Sequence, residues 1–282
     1  MPIVFLPAFR ILWASAFLGF TVGMHAADGL KLSWTNNLLT VSGANLPGGK
    51  LDIWYLEAFC RKGSAQREWG KTTFSHKTEL VSASRDGRRL RFLTKVQPDV
   101  EVTHELRAGE DEVEFRFEFK NLGREPAGIE WFQPACIRVE RFTGRGQSNY
   151  TERSFIFTER GLTTFAQTAR REEALYRGGQ VYVPKGIPLD DANPRPISAD
   201  QPVNGLIGCF SADNQWLLAT ASDQTHELFE GVYVCIHSDP HIGGLAPGET
   251  KTVRSKLYLL KNDVKALLRR YERDFKTGAR RL

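Results

Sequence analysis

The chain has 282 residues, 41% hydrophobic and 25% charged, enough to bury a core and unlike a disordered or fibrous chain. Its 38 basic and 33 acidic side chains leave a formal charge of +5 that is dispersed, as in "LRAGEDEVEFRFEFK", so no basic arm or stripe marks a nucleic-acid partner. Beyond the first residues no apolar run is long enough to cross a bilayer.

Residues 1–26 read as an export signal. "MPIVFLPAFR" carries only Arg10 as a charge, an uncharged apolar stretch follows to Met24, and "HAAD" offers small residues for cleavage near Ala26 or Ala27. The mature chain, residues 27–282, is then expected to be a single soluble domain, secreted or periplasmic. A retained anchor is the alternative.

After the signal, almost every periodic segment has period two. "ELVSASRDGRRLRFLTKV" predicts a hairpin turning at Asp86-Gly87, and "VEVTHELRAGEDEVEF" a second through Gly109-Glu110-Asp111. In "VEFRFEFK", Val113, Phe115, Phe117 and Phe119 share one face while Glu114, Arg116, Glu118 and Lys120 share the other, the mark of a half-buried antiparallel strand. Residues 184–204 break the pattern, with five of the 13 prolines and no periodic apolar face. A loop of that length is functional or mobile, and we expect it along one edge of the sheets, as a rim of a binding site. "NGLIGCFSADNQWLLATAS" predicts a third hairpin and "TVRSKLYLL" a late strand. One helix follows. Val264, Leu267, Leu268, Tyr271 and Phe275 form a single apolar stripe behind a cap at Asn262 or Asp263, suited to the outside of a sheet.

Cys60, Cys136, Cys209 and Cys235 are far apart and form no CxxC pair, which argues against a zinc knuckle. In an exported protein they form disulfides or stay as buried thiols; the sequence leaves both open.

The C-terminal third, "WLLATASDQTHELFEGVYVCIHSDPHIGGLAPGETKTVRSKLYLL", resembles the end of the galactose mutarotase-like (aldose 1-epimerase) superfamily. There a strand ends in a catalytic turn and a Leu-x-Pro-Gly-Glu turn feeds a closing strand; here these are "LAPGET" and "LYLL". "EVEFRFEFKNLGREPAGIEWFQP" is similar to the middle strands of that fold, and the pattern extends over about residues 51–260. The resemblance implies an all-β, antiparallel two-sheet β-supersandwich with one C-terminal helix, whose concave face binds a carbohydrate. Mutarotases of this kind use a glutamate base and a histidine acid on either side of the sugar ring. This chain departs from that pattern. It has His237 in "CIHSDP" where the glutamate would stand, and Glu130, Trp131 and Gln133 in "GIEWFQPAC" where the histidine would stand.

The expected catalytic pair is therefore a swapped one, Glu130 with His237. Trp131 is the expected stacking platform for a pyranose, with Gln133 and Arg138 as hydroxyl partners. His237, Asp239 and His241 form an H-x-D-x-H cluster with metal-binding atoms. Because Pro240 is expected to break the strand between them, we assign Asp239 and His241 to sugar hydroxyls or to the turn and expect no metal and no cofactor. His104, on an otherwise apolar face, is expected in the core. Two functions follow: a carbohydrate-active enzyme of epimerase, hydrolase or lyase type, or a non-catalytic carbohydrate-binding protein of the same fold.

Overall fold

The computed structural model describes Met1 and residues 29–276, so residues 2–26 of the expected export signal lie outside the described residues. The first strands are β1 (Lys31–Thr35), β2 (Leu38–Ser42), β3 (Lys50–Trp54) and β4 (Ala58–Arg61), followed by a short helix α1 (Trp69–Thr72). Four long strands come next: β5 (His76–Ala83), β6 (Arg89–Val96), β7 (Val100–Ala108) and β8 (Glu112–Asn121). Then come β9 (Ile129–Gln133), β10 (Cys136–Arg138), helix α2 (Glu140–Thr143), β11 (Ser154–Thr158), β12 (Gly161–Thr164) and β13 (Gln180–Tyr182). The chain closes through β14 (Ile207–Phe210), β15 (Trp216–Ser222), β16 (Thr225–Glu230), β17 (Cys235–Pro240), β18 (Thr250–Lys261) and helix α3 (Val264–Tyr271).

Two antiparallel sheets carry nearly all of this. Seven strands run in the order β1-β2-β3-β10-β17-β16-β13, and nine in the order β12-β11-β14-β15-β18-β8-β7-β6-β5; β4 and β9 form a two-stranded ribbon. The fold class is the expected all-β two-sheet sandwich with a C-terminal helix. Alternation makes it. Val113, Phe115, Phe117 and Phe119 are buried between the sheets, and the charged residues between them face outward. Ile53, Ile137, Leu228 and Ile236 meet them from the seven-stranded sheet in the same core. His104 lies in that core too, its Nδ1 paired with the Tyr55 hydroxyl.

The first two hairpins turn where predicted, the first with Gly87 at φ 70°, and the third turns through Asn214 at φ 59°. Helix α3 starts at Asp263, whose carboxylate accepts from Ala266 N at 2.9 Å. Leu267, Tyr271 and Phe275 pack on Phe155, Leu217, Ala219 and Tyr258, on the outer face of the nine-stranded sheet. Among the described residues, no helix is long and apolar enough to cross a membrane.

Residues 184–204 fold over the seven-stranded sheet. Val181 N and Ser198 N bond along this segment, while Ala192, Ile187 and Ile197 join Val181, Val183 and Phe229 in a small core of their own. Asp191 ties the segment to the chain after β4 by accepting from Gly63 N at 2.7 Å. The sheet is thus covered on both faces, which is why every residue of β17 is buried.

One local expectation differs. The strand that carries His237 and Asp239 is not broken ahead of Pro240. Gly231 to Val234 form the turn from β16, Val234 adopts φ 52°, and β17 runs on to Pro240. Pro240 is accommodated because it pairs with Thr225 beside a bulge between Thr225 and Glu227, at the end of the ladder where its missing N–H costs little.

Candidate functional site

Alternation along β17 decides what gathers here. Ile236 points into the core, so Cys235, His237 and Asp239 point the other way, under the covering segment. On the neighbouring β10, Ile137 pairs with Ile236, which places Cys136 beside His237 on that same face. On the other side β16 sets Glu227 opposite Asp239 and Phe229 opposite His237. A cavity of about 220 Å³ lies over these strands. Its floor is Gln133, Cys136, Cys235 and His237, and its walls include Glu57, Trp69, Tyr176, Asn193 and Arg195. Two depressions of about 640 and 700 Å³ elsewhere are larger, but neither gathers such a set of buried groups.

The floor is densely ionisable. His237 Nε2 lies 3.5 Å from Cys235 Sγ; its Nδ1 is 3.7 Å from Asp239 Oδ1 and 3.9 Å from Glu57 Oε2. Gln133 Nε2 donates to Asp239 Oδ2 at 3.0 Å, and Asn193 N donates to Glu227 Oε2 at 2.9 Å. His237 Nδ1, Asp239 Oδ1 and Glu227 Oε1 are buried with no hydrogen-bond partner. Burial opposes a charged His237, yet the Cys136 and Cys235 sulfurs and Asp239 carry its imidazole well above the usual range. Cys235 moves the other way: the Cys136 thiol beside it, with His237, holds it well below the usual thiol range against burial. Burial lifts the half-exposed Glu57 carboxyl, against the pull of His237. Burial, with Asp239 alongside, carries Glu227 well above the carboxylate range.

The backbone that delivers Cys235 is unusual. Val234, a β-branched residue, sits in the left-handed region, held by Gln147 Oε1 on its N–H and by Val139 N on its carbonyl. Gly231 passes so close that an added Cβ would lie 2.2 Å from Cys235 Sγ. Tyr150 Oη pins the Gly231 carbonyl at 2.6 Å. Strained and crowded backbone of this kind persists only where the surroundings over-determine it.

The residues singled out from the sequence are distributed unevenly. His237 and Gln133 line the cavity, and Asp239 lies buried behind His237 rather than at a turn. Glu130 is not on the cavity wall; its carboxylate lies 3.8 Å from His241 Nδ1, so the structure does not bring Glu130 to His237. Trp131 is 0% exposed: its Nε1 donates to Ser64 Oγ at 3.2 Å and its ring stacks on His226 at 5.3 Å. It is a packing residue with no face for a sugar. His241 stacks on the far side of His226 at 5.6 Å, away from the cavity lining. Arg138 donates to the Tyr233 carbonyl at 3.2 Å, and its guanidinium lies over the Tyr233 ring, outside the lining. Sequence reasoning missed Glu57, Cys136, Cys235, Tyr176 and Arg195 as site residues. The period-two phase that puts Cys235 on the face of His237 was the one available signal.

No protein-family model matches the chain, and no curated protein matches it. Solved structures do. A galactose mutarotase-like protein from Clostridium acetobutylicum is 10% identical, with a TM-score of 0.46 over 82% of this chain and 98% of that one. A galactose mutarotase related enzyme from Lactobacillus acidophilus is 11% identical, with a TM-score of 0.44 over 83% and 98%. A polysaccharide lyase is 9% identical, with a TM-score of 0.34 over 82% of this chain and 32% of its own. Galactose mutarotase-like proteins are thus among the structural neighbours, at a similarity too low to speak for what this chain does.

Proposed function

We propose that the protein is a carbohydrate-active enzyme that takes one sugar ring into the Glu57–His237 cavity. The observation that carries this reading is the meeting, in one small cavity, of a carboxylate, a carboxamide pair, a guanidinium and aromatic rings around a reactive floor. Gln133, Asn193 and Arg195 offer the donors and acceptors that hydroxyls require, and Trp69, Tyr176 and Phe229 offer apolar faces for C–H bonds. At about 220 Å³ the cavity is smaller than the roughly 300–1,000 Å³ of sites for drug-sized ligands. That favours a monosaccharide, or the end residue of a chain, over an internal stretch of oligosaccharide. Glu57, on the wall and within 3.9 Å of His237, takes the proton-transfer role that the sequence assigned to Glu130. The reaction type, epimerase, hydrolase or lyase, follows from which bond of the ring faces Glu57.

Export by way of residues 1–26 belongs to the same proposal. The test uses protein recovered from cells expressing the full chain, whose N-terminal residue reports whether that segment is removed. It is screened against a panel of mono- and oligosaccharides, with products followed by mass and by NMR of the anomeric proton. Glu57→Gln should lower turnover at least about a hundredfold, the scale of a lost acid or base, while ligand affinity stays within a few-fold. Saturable binding with no product from the parent chain favours the non-catalytic reading. Unchanged turnover in the variant removes Glu57 from the chemistry.

A further inference from the structure

The cavity floor carries three donors whose polar contacts are largely with one another. Cys136 Sγ, Cys235 Sγ and a ring nitrogen of His237 all lie within 4.8 Å of one another, and all three residues are buried. They come from adjacent antiparallel strands rather than from a flexible loop, so the spacing is set by the sheet. Zinc–sulfur bonds of about 2.3 Å and zinc–nitrogen bonds of about 2.0 Å at a tetrahedral angle place sulfur and nitrogen roughly 3.5 Å apart and two sulfurs roughly 3.8 Å apart. Cys235 Sγ and His237 Nε2 are 3.5 Å apart. The remaining separations, within 4.8 Å, close with side-chain shifts on the order of 1 Å.

We propose that Cys136, Cys235 and His237 bind a thiophilic divalent metal ion of the zinc class, with the fourth coordination position open to the cavity. Three further observations support it. His237 Nδ1 faces Asp239 Oδ1 at 3.7 Å, both atoms buried without partners, and Gln133 holds the other Asp239 oxygen. A metal on Nε2 leaves the proton on Nδ1, aimed at that carboxylate, which is the outer support metal-bound histidines commonly have. Charge also closes: the ion displaces the protons that the two sulfurs and the imidazole Nε2 hold between them, leaving two thiolates to neutralise its double charge where isolated charges are costly. Finally, three protein ligands with the fourth direction facing a ligand-sized space is the pattern of a catalytic site, whereas a structural site closes with four. The proposal deepens the carbohydrate reading, since an ion there polarises a sugar oxygen beside Glu57 and makes His237 a ligand in place of a proton carrier.

The test begins with the purified full chain, reduced and freed of metal, titrated with cobalt(II) alone. The expected result is one equivalent bound, with the near-ultraviolet thiolate-to-cobalt band and the red d–d bands of a tetrahedral site. Zinc displaces cobalt and raises the melting temperature. Cys136→Ser and Cys235→Ser each weaken the thiolate band to about half and raise the metal Kd at least a hundredfold, whereas Cys209→Ser, in the sandwich core, leaves the spectrum as it was. Asp239→Asn, acting through His237, weakens binding about 10–100-fold with the band retained. X-ray absorption on the zinc-loaded parent chain needs no variant and should show two sulfur neighbours and at least one nitrogen. Absence of the thiolate band, or a Cys136–Cys235 disulfide in protein isolated without reductant, overturns the proposal. Sugar binding by a chain that takes up no cobalt would overturn this inference and leave the cavity reading standing. Cobalt uptake with no sugar bound from the panel would do the reverse.

Discussion

Trp131 shows how a residue can be noticed for the wrong reason. From the sequence it looked like a sugar platform; in the fold it fills a slot between Trp69, His226 and Ser64. Period alone could not separate the two, because a tryptophan on the concave face of a sheet does either job depending on what lies over it. The consequence is measurable. Trp131→Ala should destabilise the chain by about 3–5 kcal/mol in urea unfolding, the cost of emptying a large buried site. A stacking residue would instead cost ligand affinity and leave the unfolding midpoint nearly in place. His237 was legible because a histidine in phase with an apolar run stands out. Cys136 and Cys235 were not legible as a pair. Only the pairing of β10 with β17 sets them together, and nothing along the chain reports that pairing.

Elements were more legible than residues. The hairpins β5–β6, β7–β8 and β14–β15 and the helix α3 follow from local signals that act over a few residues: alternation, a Gly or Asn at positive φ, an aspartate cap. The turn before β17 did not, because Val234 takes a backbone conformation that valine alone would avoid and that Gln147 and Val139 impose from elsewhere. Helix α3 is held twice, by its apolar stripe and by Arg270, which bonds Asp111 and Glu112 at the β7–β8 turn. Its cap is the simplest element to test. Asp263→Ala should lower stability by about 1 kcal/mol in denaturant melts, through the lost bond to Ala266 N. No loss would mean that tertiary packing alone sets where the helix begins.

At the scale of the whole molecule, burial of two histidines links stability to pH. Burial holds His104 at about 3. It holds His226 at about 4, although the Asp191 carbonyl on its Nε2 pulls upward. An unfolded chain protonates these groups near pH 6.5. Both folded values are depressed, so stability is full above about 6.5. As pH falls further, the unfolded chain takes protons that the folded chain refuses, until the loss levels off near 4 for His226 and near 3 for His104. Between pH 7 and pH 5 the two together should cost about 4 kcal/mol. His104→Phe, whatever it does to absolute stability, should remove about half of that slope in urea melts run across the window. An unchanged slope would mean that His104 does not stay neutral in the fold.

The sequence by itself determined the all-β class, most strand and hairpin positions and the closing helix, because alternation, turn residues and caps act between near neighbours. It also marked residues 184–204 as different, without saying which sheet they cover. The tertiary structure alone decided the site. Which polar residues line a cavity depends on strand order and on what is laid over the sheet, and both join residues that are distant along the chain. That is why Glu57 replaces Glu130 beside His237, and why two cysteines that looked isolated stand next to the same imidazole.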